Sequence, residues 1–379
     1  MTVNGMEKGI AMRHVLGLAM FAASTSFSVP VSAHDTTAAI APLPGRIVIA
    51  HRGASALRPE HTLEAYAKAI EDGADAIEPD IVITKDGVLV ARHENEISGT
   101  TNVADKPEFA DRKTTKRIDN VAVTGWFIED FTLAELKTLG AIERIPDNRP
   151  DNTRFNGQFA VPTLQEIIDL ARTRSAQTRR TIAIYPETKH PSYFNAIGLP
   201  LEKRLVDLLH ANGYRGRHAP VFIQSFEVGS LKEMRAMTDL RLIQLMSASG
   251  QPEDFRLAGD KRRYRDMASA SGLQEVATYA NGIGPSKDMV IPRDSSKNLT
   301  APSDLVRNAH AAKLLVHPYT FRPENPFLPT DLRQGDAASP SQRGDLIAEI
   351  RAFLRAGVNG VFTDDPAAGR AALNSEPGK

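Results

Sequence analysis

Short apolar runs rich in β-branched residues alternate with amphipathic segments along most of the chain. Eight of these runs have the length and composition of buried strands. They lie at 46–50, 76–81, 181–185, 221–224, 242–245, 282–284, 314–317 and 358–362. The segments between them carry apolar residues at helical spacing, as in Leu201, Leu205 and Leu209. A strand and then a helix, repeated eight times, predicts an α/β protein with a closed parallel (β/α)8 TIM barrel.

A doubly wound open sheet is the alternative architecture for such a pattern. The glycine-rich phosphate-binding turn that usually follows the first strand of that fold is absent after residue 50. The barrel is therefore the favoured fold.

Two segments interrupt the regular alternation. The turn signal Thr84-Lys85-Asp86-Gly87 separates two apolar runs, 81–83 and 88–91, and predicts a hairpin extension after the second strand. Residues 94–162 then form a long insertion rich in Asp, Thr, Asn and Pro, with one helical stretch at 131–139 after the N-cap candidate Thr132. A connection of this length within a compact domain usually has a function.

Composition narrows the class of protein. The 379 residues include 46 Lys and Arg against 46 Asp and Glu, so no net charge attracts the chain to nucleic acid. Hydrophobic residues make up 41% of the chain, enough for a large core. Because cysteine is absent, any bound metal must be held by oxygen or imidazole.

The N-terminus has the pattern of a secretory signal peptide. Lys8 and Arg13 precede an apolar stretch at 15–23, and Val31-Ser32-Ala33 fits a cleavage site. The apolar stretch is too short to span a bilayer, so we expect no stable membrane insertion. We predict a signal peptide at 1–33 and an exported protein, periplasmic or secreted. The remaining predicted boundaries are a linker at 34–44, the barrel domain at 45–372 and a C-terminal tail at 373–379.

Polar residues follow or end several of the predicted strands. The active site of a TIM barrel lies at the carboxyl ends of its strands, where such side chains meet. Side chains two residues apart on a strand point to the same side, which pairs Glu78 with Asp80 and Glu187 with Lys189. The candidate site residues on this basis are His51, Arg52, Glu78, Asp80, His93, Glu187 and Lys189.

These residue types point to the cleavage of a phosphate ester. Three carboxylates without sulfur suit a hard cation, Ca²⁺ or Mg²⁺. Arginine and lysine beside such a cation suit the non-bridging oxygens of a phosphodiester. Two histidines can then act as general acid and general base.

At these positions the sequence resembles the glycerophosphodiester phosphodiesterase family, and especially its exported, periplasmic type. The resemblance spans about residues 45–366, and the ordered set of motifs is more specific than any single one. The matching segments are His51-Arg52-Gly53-Ala54-Ser55 with Pro59-Glu60, Glu78-Pro79-Asp80, Thr84-Lys85-Asp86-Gly87 leading to His93, Tyr185-Pro186-Glu187-Thr188-Lys189, Gln224-Ser225-Phe226, Gly282-Ile283-Gly284-Pro285, His317-Pro318-Tyr319 and Gly360-Val361-Phe362-Thr363-Asp364.

The resemblance implies roles for individual residues. Glu78, Asp80 and Glu187 match the family's ligands for one divalent cation, which is expected to be Ca²⁺, with Mg²⁺ as the alternative. His51 and His93 match the acid/base pair. The phosphate-contacting residues are matched by Arg52 and Lys189, and a further site carboxylate by Glu60.

The resemblance also implies hydrolysis of a small-molecule glycerophosphodiester to glycerol 3-phosphate and an alcohol. One departure is His61, where the family commonly has Asn before Thr62. Since Thr62 is retained as the N-cap candidate of the first helix, we expect this change to affect local structure more than catalysis.

Other interpretations remain open at this stage. Glu187 could simply pair with Lys189. Aromatic side chains could form an apolar wall for the substrate, with Phe226 and Tyr319 as the main candidates and Trp126 and Phe321 as further ones. The alternative functions are a phospholipase-D-like enzyme acting on intact lysolipid or sphingolipid, and a non-catalytic phosphodiester-binding protein. The sequence leaves undecided the head group, the nucleophile, the division of roles between the histidines, and the oligomeric state, a homodimer included.

Overall fold

The structure is a computed structural model that describes residues 40–336 and 338–376. The predicted signal peptide and most of the predicted linker lie outside these residues, as do residues 377–379. The strands are β1 (Ile47–His51), β2 (Ala76–Glu78), β3 (Asp80–Ile83), β4 (Leu89–Ala91), β5 (Thr114–Ile118), β6 (Val121–Gly125), β7 (Ala183–Ile184), β8 (Glu187–Thr188), β9 (Phe222–Ser225), β10 (Arg241–Met246), β11 (Gly282–Pro285), β12 (Leu315–Val316) and β13 (Gly360–Thr363).

Helices connect the strands and cover the outside of the sheet. The α-helices are α1 (Leu63–Glu71), α2 (Leu133–Leu136), α3 (Leu164–Thr178), α4 (Pro191–Ala196), α5 (Glu202–Ala211), α6 (Val228–Met237), α7 (Glu253–Ala258), α8 (Tyr264–Met267), α9 (Ala270–Val276), α10 (Lys287–Val290), α11 (Leu305–Ala311), α12 (Leu346–Arg355) and α13 (Pro366–Ser375). Short 3-10 helices lie at Asn102–Asp105, Pro107–Arg112, Ile128–Asp130, Pro150–Phe155, Asn325–Phe327 and Thr330–Leu332. Helix α13 ends at Ser375, so the predicted start of the tail at 373 falls inside a helix.

The parallel strands close into the predicted (β/α)8 barrel. Two barrel positions are each built from two short strands, β2 with β3 and β7 with β8, because Pro79 and Pro186 interrupt the pairing. The strand order is β13-β1-β2-β7 in one sheet and β12-β11-β10-β9-β8-β3-β4 in the other. A parallel bridge from Ile184 to Val221 joins the sheets on one side. On the other side, the main-chain N–H of Asn359 donates to the carbonyl of Val316 at 2.9 Å.

The hairpin extension predicted after the second strand is present. Strands β3 and β4 pair antiparallel, with Ile81 opposite Ala91 and Ile83 opposite Leu89. Gly87 has a φ of +82° in the turn, a conformation that glycine adopts without steric penalty. The hairpin returns the chain so that His93 follows β4 at the mouth of the barrel.

The insertion contains a hairpin, besides its short 3-10 helices, that the sequence pattern did not indicate. Strands β5 and β6 form a second hairpin, whose turn residues Asp119 and Asn120 both have positive φ. These strands are largely exposed and carry no alternation of apolar residues. The predicted helix at 131–139 is shorter than expected and spans Leu133–Leu136, with Thr132 as its N-cap and a capping box to Glu135.

Aromatic side chains fill the interior of the barrel. Tyr185 stacks on Phe222 with ring centroids 4.9 Å apart, and Phe362 packs edge-on against Tyr185 at 5.0 Å. Phe362 also lines the pocket above, so this inner cluster forms the floor of the site. Within the described residues, no helix combines the length and the apolar character needed to cross a bilayer.

Candidate active site

A pocket of about 140 Å³ lies at the carboxyl ends of the barrel strands. Nine of the twelve candidate residues line it, and the exceptions are Glu60, Trp126 and Phe321. The strands place them there as the sequence pattern predicted, since most of these residues end a strand or directly follow one. The floor is apolar, formed by Leu245 and Phe362, while the walls carry the charged groups.

Three buried carboxylates converge on one side of the pocket. Glu78 ends β2, Asp80 begins β3, and Glu187 begins β8, where it pairs in register with Asp80. One carboxylate oxygen from each residue lies within 4.8 Å of the other two. The arrangement offers an all-oxygen ligand set of the kind that Ca²⁺ and Mg²⁺ prefer.

The electrostatics of these carboxylates fit a bound cation. Burial, reinforced by the charges of Asp80 and Glu187, raises the pKa of Glu78 well above its usual range. Burial also raises the pKa of Glu187 to about 8, against the opposing effect of Lys189. The buried Oδ1 of Asp80 has no hydrogen-bond partner in the described part of the chain. A divalent cation would relieve this repulsion and supply the missing partner.

The ion pair that the sequence analysis weighed for Glu187 is also present. The ammonium of Lys189 donates to Oε1 of Glu187 at 2.8 Å and lies 3.9 Å from Oδ1 of Asp80. One lysine does not balance three carboxylates, so the pair does not remove the case for a metal.

Arg52 belongs to a tight turn that joins β1 to the following loop. Its φ is +60°, and Gly53 follows with a φ of +92°. Its main-chain N–H donates to Oε2 of Glu78 at 2.8 Å, and this hydrogen bond holds the turn against the Glu78 carboxylate. Its guanidinium donates to Oε2 of Glu60 at 3.0 Å, and its Nε lies 3.4 Å from Oδ2 of Asp80.

Each pocket histidine is held by a carboxylate through Nδ1. Nδ1 of His51 lies 2.6 Å from Oδ1 of Asp364, and Nδ1 of His93 lies 2.5 Å from Oε1 of Glu94. Nε2 of each ring is therefore the nitrogen free to serve the pocket. Burial and the nearby charge of Arg52 lower the pKa of His51 to about 4, and the same two causes, with Lys189, lower the pKa of His93.

The remaining predicted residues lie in different places. Phe226 and Tyr319 line the pocket with their rings 6.0 Å apart. Trp126 and Phe321 do not, because Trp126 is buried in the insertion and Phe321 packs on Phe353 in the core. Glu60 lies behind Arg52 and accepts a hydrogen bond from its guanidinium at 3.0 Å.

His61 is closer to the chemistry than its sequence position indicated. Its Nε2 lies 2.8 Å from Oδ2 of Asp80, and its Nδ1 lies 2.7 Å from the hydroxyl of Tyr66. The expectation for Thr62 is confirmed, since its hydroxyl caps helix α1 by accepting from the N–H of Ala65. His61 thus supports a predicted metal ligand as well as the local turn.

Several residues of the site were assigned no role at the sequence level. Asp364 follows β13, and the rule that found His51 at the end of β1 could have found it. Glu94 is adjacent to His93, but only its geometry identifies it. Three arginines, Arg144, Arg149 and Arg322, carried no sequence signal because they lie in loops without regular pattern.

A TIM barrel with three clustered carboxylates, two oriented histidines and three cationic side chains in one pocket defines a hydrolase for phosphate esters. The sequence profile of the glycerophosphoryl diester phosphodiesterase family matches residues 51–368. The chain belongs to this family. The prediction of an enzyme that hydrolyses glycerophosphodiesters is thereby confirmed at the level of the family.

Relatives of known name match over most of the chain. A glycerophosphodiester phosphodiesterase of Arabidopsis thaliana is 39% identical over 330 residues, which cover 83% of this chain and 82% of the relative. One from Haemophilus influenzae is 29% identical over 344 residues, covering 86% and 88% of the two chains.

Solved structures confirm the fold. A glycerophosphoryl diester phosphodiesterase structure from Silicibacter pomeroyi matches with a TM-score of 0.58 at 23% identity, covering 87% of this chain and 94% of that one. A phosphodiesterase of Oleispira antarctica, solved with its product sn-glycerol 3-phosphate, matches with a TM-score of 0.55 at 19% identity, covering 88% and 98%.

Proposed function

We propose that the protein hydrolyses soluble glycerophosphodiesters to glycerol 3-phosphate and an alcohol in the pocket described above. The observation that carries this proposal is the convergence of three buried carboxylates with two histidines whose Nε2 atoms are free. A protein that only binds phosphodiesters has no need for two histidines held in this way.

The residues of the chain divide the work of the reaction. Arg52 and Lys189 bind and orient the phosphate through charge-assisted hydrogen bonds. One histidine, neutral with its proton on Nδ1, accepts a proton from the nucleophile at Nε2. The other, protonated on both ring nitrogens, donates its Nε2 proton to the leaving alcohol oxygen. A new oxygen–phosphorus bond forms as the bond to that alcohol oxygen breaks.

The nucleophile distinguishes two routes that use the same residues. Water attack gives glycerol 3-phosphate directly, whereas attack by the neighbouring glycerol hydroxyl first gives a cyclic phosphate that water then opens. Phosphorus NMR during turnover separates them, because only the second route produces a cyclic phosphate resonance before the monoester.

We further propose that Glu78, Asp80 and Glu187 hold one divalent cation, Ca²⁺ in the exported protein. A bound cation would neutralise charge developing on the non-bridging phosphate oxygens. The oxygen-only ligand set also accepts Mg²⁺, which keeps more of its waters and needs stricter octahedral geometry. The choice of Ca²⁺ rests on the resemblance to exported members of the family.

The surroundings of the pocket favour a soluble ester over an intact lipid. A neighbouring groove of about 320 Å³ shares Glu187, Lys189 and Phe226 with the pocket. Its other walls are largely polar, including Asp119 and Gln251. An acyl chain would need an apolar mouth, so we assign the groove to a polar leaving alcohol.

Export to the periplasm or the medium is part of the proposal. It is supported by the basic residues before the apolar stretch at 15–23 and by Val31-Ser32-Ala33. Fractionation of expressing cells, with N-terminal sequencing of the mature protein, tests it. A mature chain that begins at His34 outside the cytoplasm is expected, and an unprocessed cytoplasmic chain would contradict export.

The activity is tested by chelation and restoration. The purified protein is treated with a chelator, dialysed, and assayed for release of glycerol 3-phosphate from glycerophosphocholine with no metal, Ca²⁺ or Mg²⁺. We expect loss of activity on chelation and recovery with Ca²⁺. Parallel assays on lysolipid and sphingomyelin micelles should give little product, and a preference for the micelles would favour the phospholipase-D-like alternative.

A further inference from the structure

Two arginines of the insertion each bind the carboxylate that holds one pocket histidine. We propose that the segment 143–149 is a positioning element for both histidines. In this proposal Arg144 acts on His93 through Glu94, and Arg149 acts on His51 through Asp364. The inference rests on the proposed function, because it concerns histidines that act in that reaction.

The first connection leads from Arg144 through Glu94 to His93. The guanidinium of Arg144 donates to both carboxylate oxygens of Glu94, from Nη2 to Oε2 at 2.6 Å and from Nη1 to Oε1 at 3.0 Å. Oε1 of Glu94 is the atom that lies 2.5 Å from Nδ1 of His93. The bidentate pairing fixes the plane of the carboxylate, and therefore the direction from which it meets the ring.

The same guanidinium also supports the phosphate-binding arginine. Nε and Nη2 of Arg144 donate to the two oxygens of Glu60 at 2.9 and 2.7 Å. Glu60 in turn accepts from Arg52 at 3.0 Å. Arg144 thus links His93 and Arg52 although it does not line the pocket itself.

The second connection leads from Arg149 through Asp364 to His51. Nη2 of Arg149 donates to Oδ2 of Asp364 at 2.5 Å, while Oδ1 of Asp364 lies 2.6 Å from Nδ1 of His51. The two oxygens of one buried carboxylate are therefore divided between the arginine and the histidine. Arg149 is held in turn by Glu324 at 2.7 Å and by the carbonyl of Ser55 at 2.8 Å.

The turn between the two arginines is fixed by its own hydrogen bonds. The N–H of Arg149 donates to the carbonyl of Ile145 at 3.0 Å, and the N–H of Ile145 donates to Glu143 at 2.9 Å. Glu143 also accepts from Asn152 at 2.8 Å. One structured turn therefore holds the two arginines that orient the carboxylates of Glu94 and Asp364. This gives the insertion a function that the barrel strands alone do not supply.

A double-mutant cycle tests this connection. Arg149→Met and Arg144→Met are made alone and in the His51→Ala and His93→Ala backgrounds, with kcat and KM measured for release of glycerol 3-phosphate. Each single arginine variant should lose about 10-fold or more in kcat, since small errors in orientation reduce turnover strongly. Arg144→Met should in addition raise KM, because it frees Arg52.

The backgrounds distinguish positioning from general support. Arg149→Met should cause no further loss of kcat in His51→Ala but a loss of about 10-fold in His93→Ala, and Arg144→Met should show the reverse. A merely structural role would lower kcat equally in both backgrounds, and that result would overturn the proposal. So would single variants with unchanged kcat.

One further variant protects the test against misfolding. Arg322 lies 3.2 Å from Oδ2 of Asp364, so this carboxylate keeps a cation in Arg149→Met. If that variant is still not recovered folded, Asp364→Asn interrupts the same connection between Arg149 and His51. Its loss of kcat should depend on the histidine background in the same way.

Arg112→Met is the matched control. Arg112 is also an arginine of the insertion and donates to Glu135 at 2.5 and 3.0 Å, but this pair does not line the pocket. Its kcat should equal that of the wild type. A wild-type protein that releases no product with any metal would refute the proposed function, whereas an active wild type with equal losses in both backgrounds refutes this inference alone.

Discussion

His51 and Asp364 are 313 positions apart in the chain, yet Nδ1 of the histidine lies 2.6 Å from Oδ1 of the aspartate. The barrel brings them together because β1 and β13 are neighbours, with Ala50 in register with Thr363. The carboxylate selects the tautomer that carries its proton on Nδ1 and leaves Nε2 for the pocket. Nδ1 of His93 is held in the same way by Glu94, although that pair is more exposed than His51 and Asp364.

Removal of either ring is expected to abolish most of the activity without unfolding the protein. His51→Ala and His93→Ala should each lower kcat by ~10³ or more, because a general acid or base contributes ~10² to 10⁴ in rate. Turnover of glycerophosphocholine and calorimetric metal titration measure the two properties separately. Metal binding should be retained, since neither ring belongs to the acidic group.

His218→Ala is the control for these variants, because His218 is exposed and lies outside the pocket. It should keep wild-type turnover. Near-normal turnover in His51→Ala or His93→Ala would contradict the role proposed for that ring.

Replacement of a predicted metal ligand should weaken cation binding more than it destabilises the fold. Glu187→Gln keeps the size of the side chain but replaces one of the three carboxylates with an amide, which cannot ionise to bind a cation. Loss of a directly bound ligand should weaken cation binding by roughly 100-fold or more, because loss of outer partners alone already weakens it by ~10 to 100-fold. Isothermal titration calorimetry with Ca²⁺ measures the effect.

Glu227→Gln is a matched control for that measurement. Burial raises the pKa of Glu227 to about 8, so its side chain is largely neutral near pH 7 and glutamine resembles it. Glu227 is not part of the acidic group, and its replacement should leave the Ca²⁺ affinity unchanged. Equal affinity in Glu187→Gln and the wild type would argue against ligation by Glu187.

The barrel was predictable from the sequence because its strands are buried on both faces. Such strands are mostly apolar runs, as in residues 47–50 and 242–246, and they are visible without any knowledge of their partners. Charged residues at the ends of these runs stand out by contrast. The rule that places barrel chemistry at those ends then locates most of the site.

The outer layer of the site could not be predicted in the same way. Arg144 and Arg149 belong to an insertion whose path depends on contacts with the barrel, and an arginine in a polar loop resembles any solvated arginine. The β5–β6 hairpin was missed for a related reason, since its exposed strands lack an apolar alternation. Glu60 has a recognisable motif position, but only the structure shows that it faces Arg52 rather than the pocket.

Gly53 is expected to be intolerant of any side chain. A Cβ at this position would lie 2.7 Å from the backbone carbonyl carbon of Ala65, and the φ of Gly53 is +92°. Gly53→Ala should therefore lower the free energy of unfolding by about 2–4 kcal/mol through backbone strain and overpacking. Urea denaturation followed by circular dichroism measures this change. Activity should also fall, since the turn carries Arg52.

Gly198→Ala separates the two causes. Gly198 also has a positive φ of +77°, but a Cβ there would meet nothing within 4 Å. Its substitution should lower the free energy of unfolding by only about 1–2 kcal/mol, the strain of a left-handed residue. Equal losses at both glycines would show that contact with Ala65 is unimportant.

His317 is expected to make the protein sensitive to acid. It is buried in the barrel, where its Nδ1 lies 2.9 Å from the hydroxyl of Tyr185. Burial, with a smaller effect of Arg241, lowers the pKa of His317 from 6.5 to about 3. The unfolded chain therefore binds a proton between about pH 6.5 and pH 3 that the folded chain does not.

The direction of the effect follows from this difference in proton binding. Stability contributed by the neutral imidazole is present above pH 6.5 and declines as the pH falls toward about 3. The full change in the free energy of unfolding is roughly 3–5 kcal/mol, because a tenfold change in proton affinity corresponds to about 1.4 kcal/mol. His317→Gln retains a group that can accept from Tyr185 but does not titrate. The free energy of unfolding of this variant, measured by urea denaturation between pH 8 and pH 4, should fall less steeply than that of the wild type.

The comparison isolates His317 because other buried histidines titrate equally in both proteins. Their contributions cancel when the loss of stability from pH 8 to pH 4 is subtracted between variant and wild type. His310→Gln, at an exposed histidine, should leave the wild-type slope unchanged. Parallel slopes for His317→Gln and the wild type would mean that His317 does not remain neutral in the folded barrel.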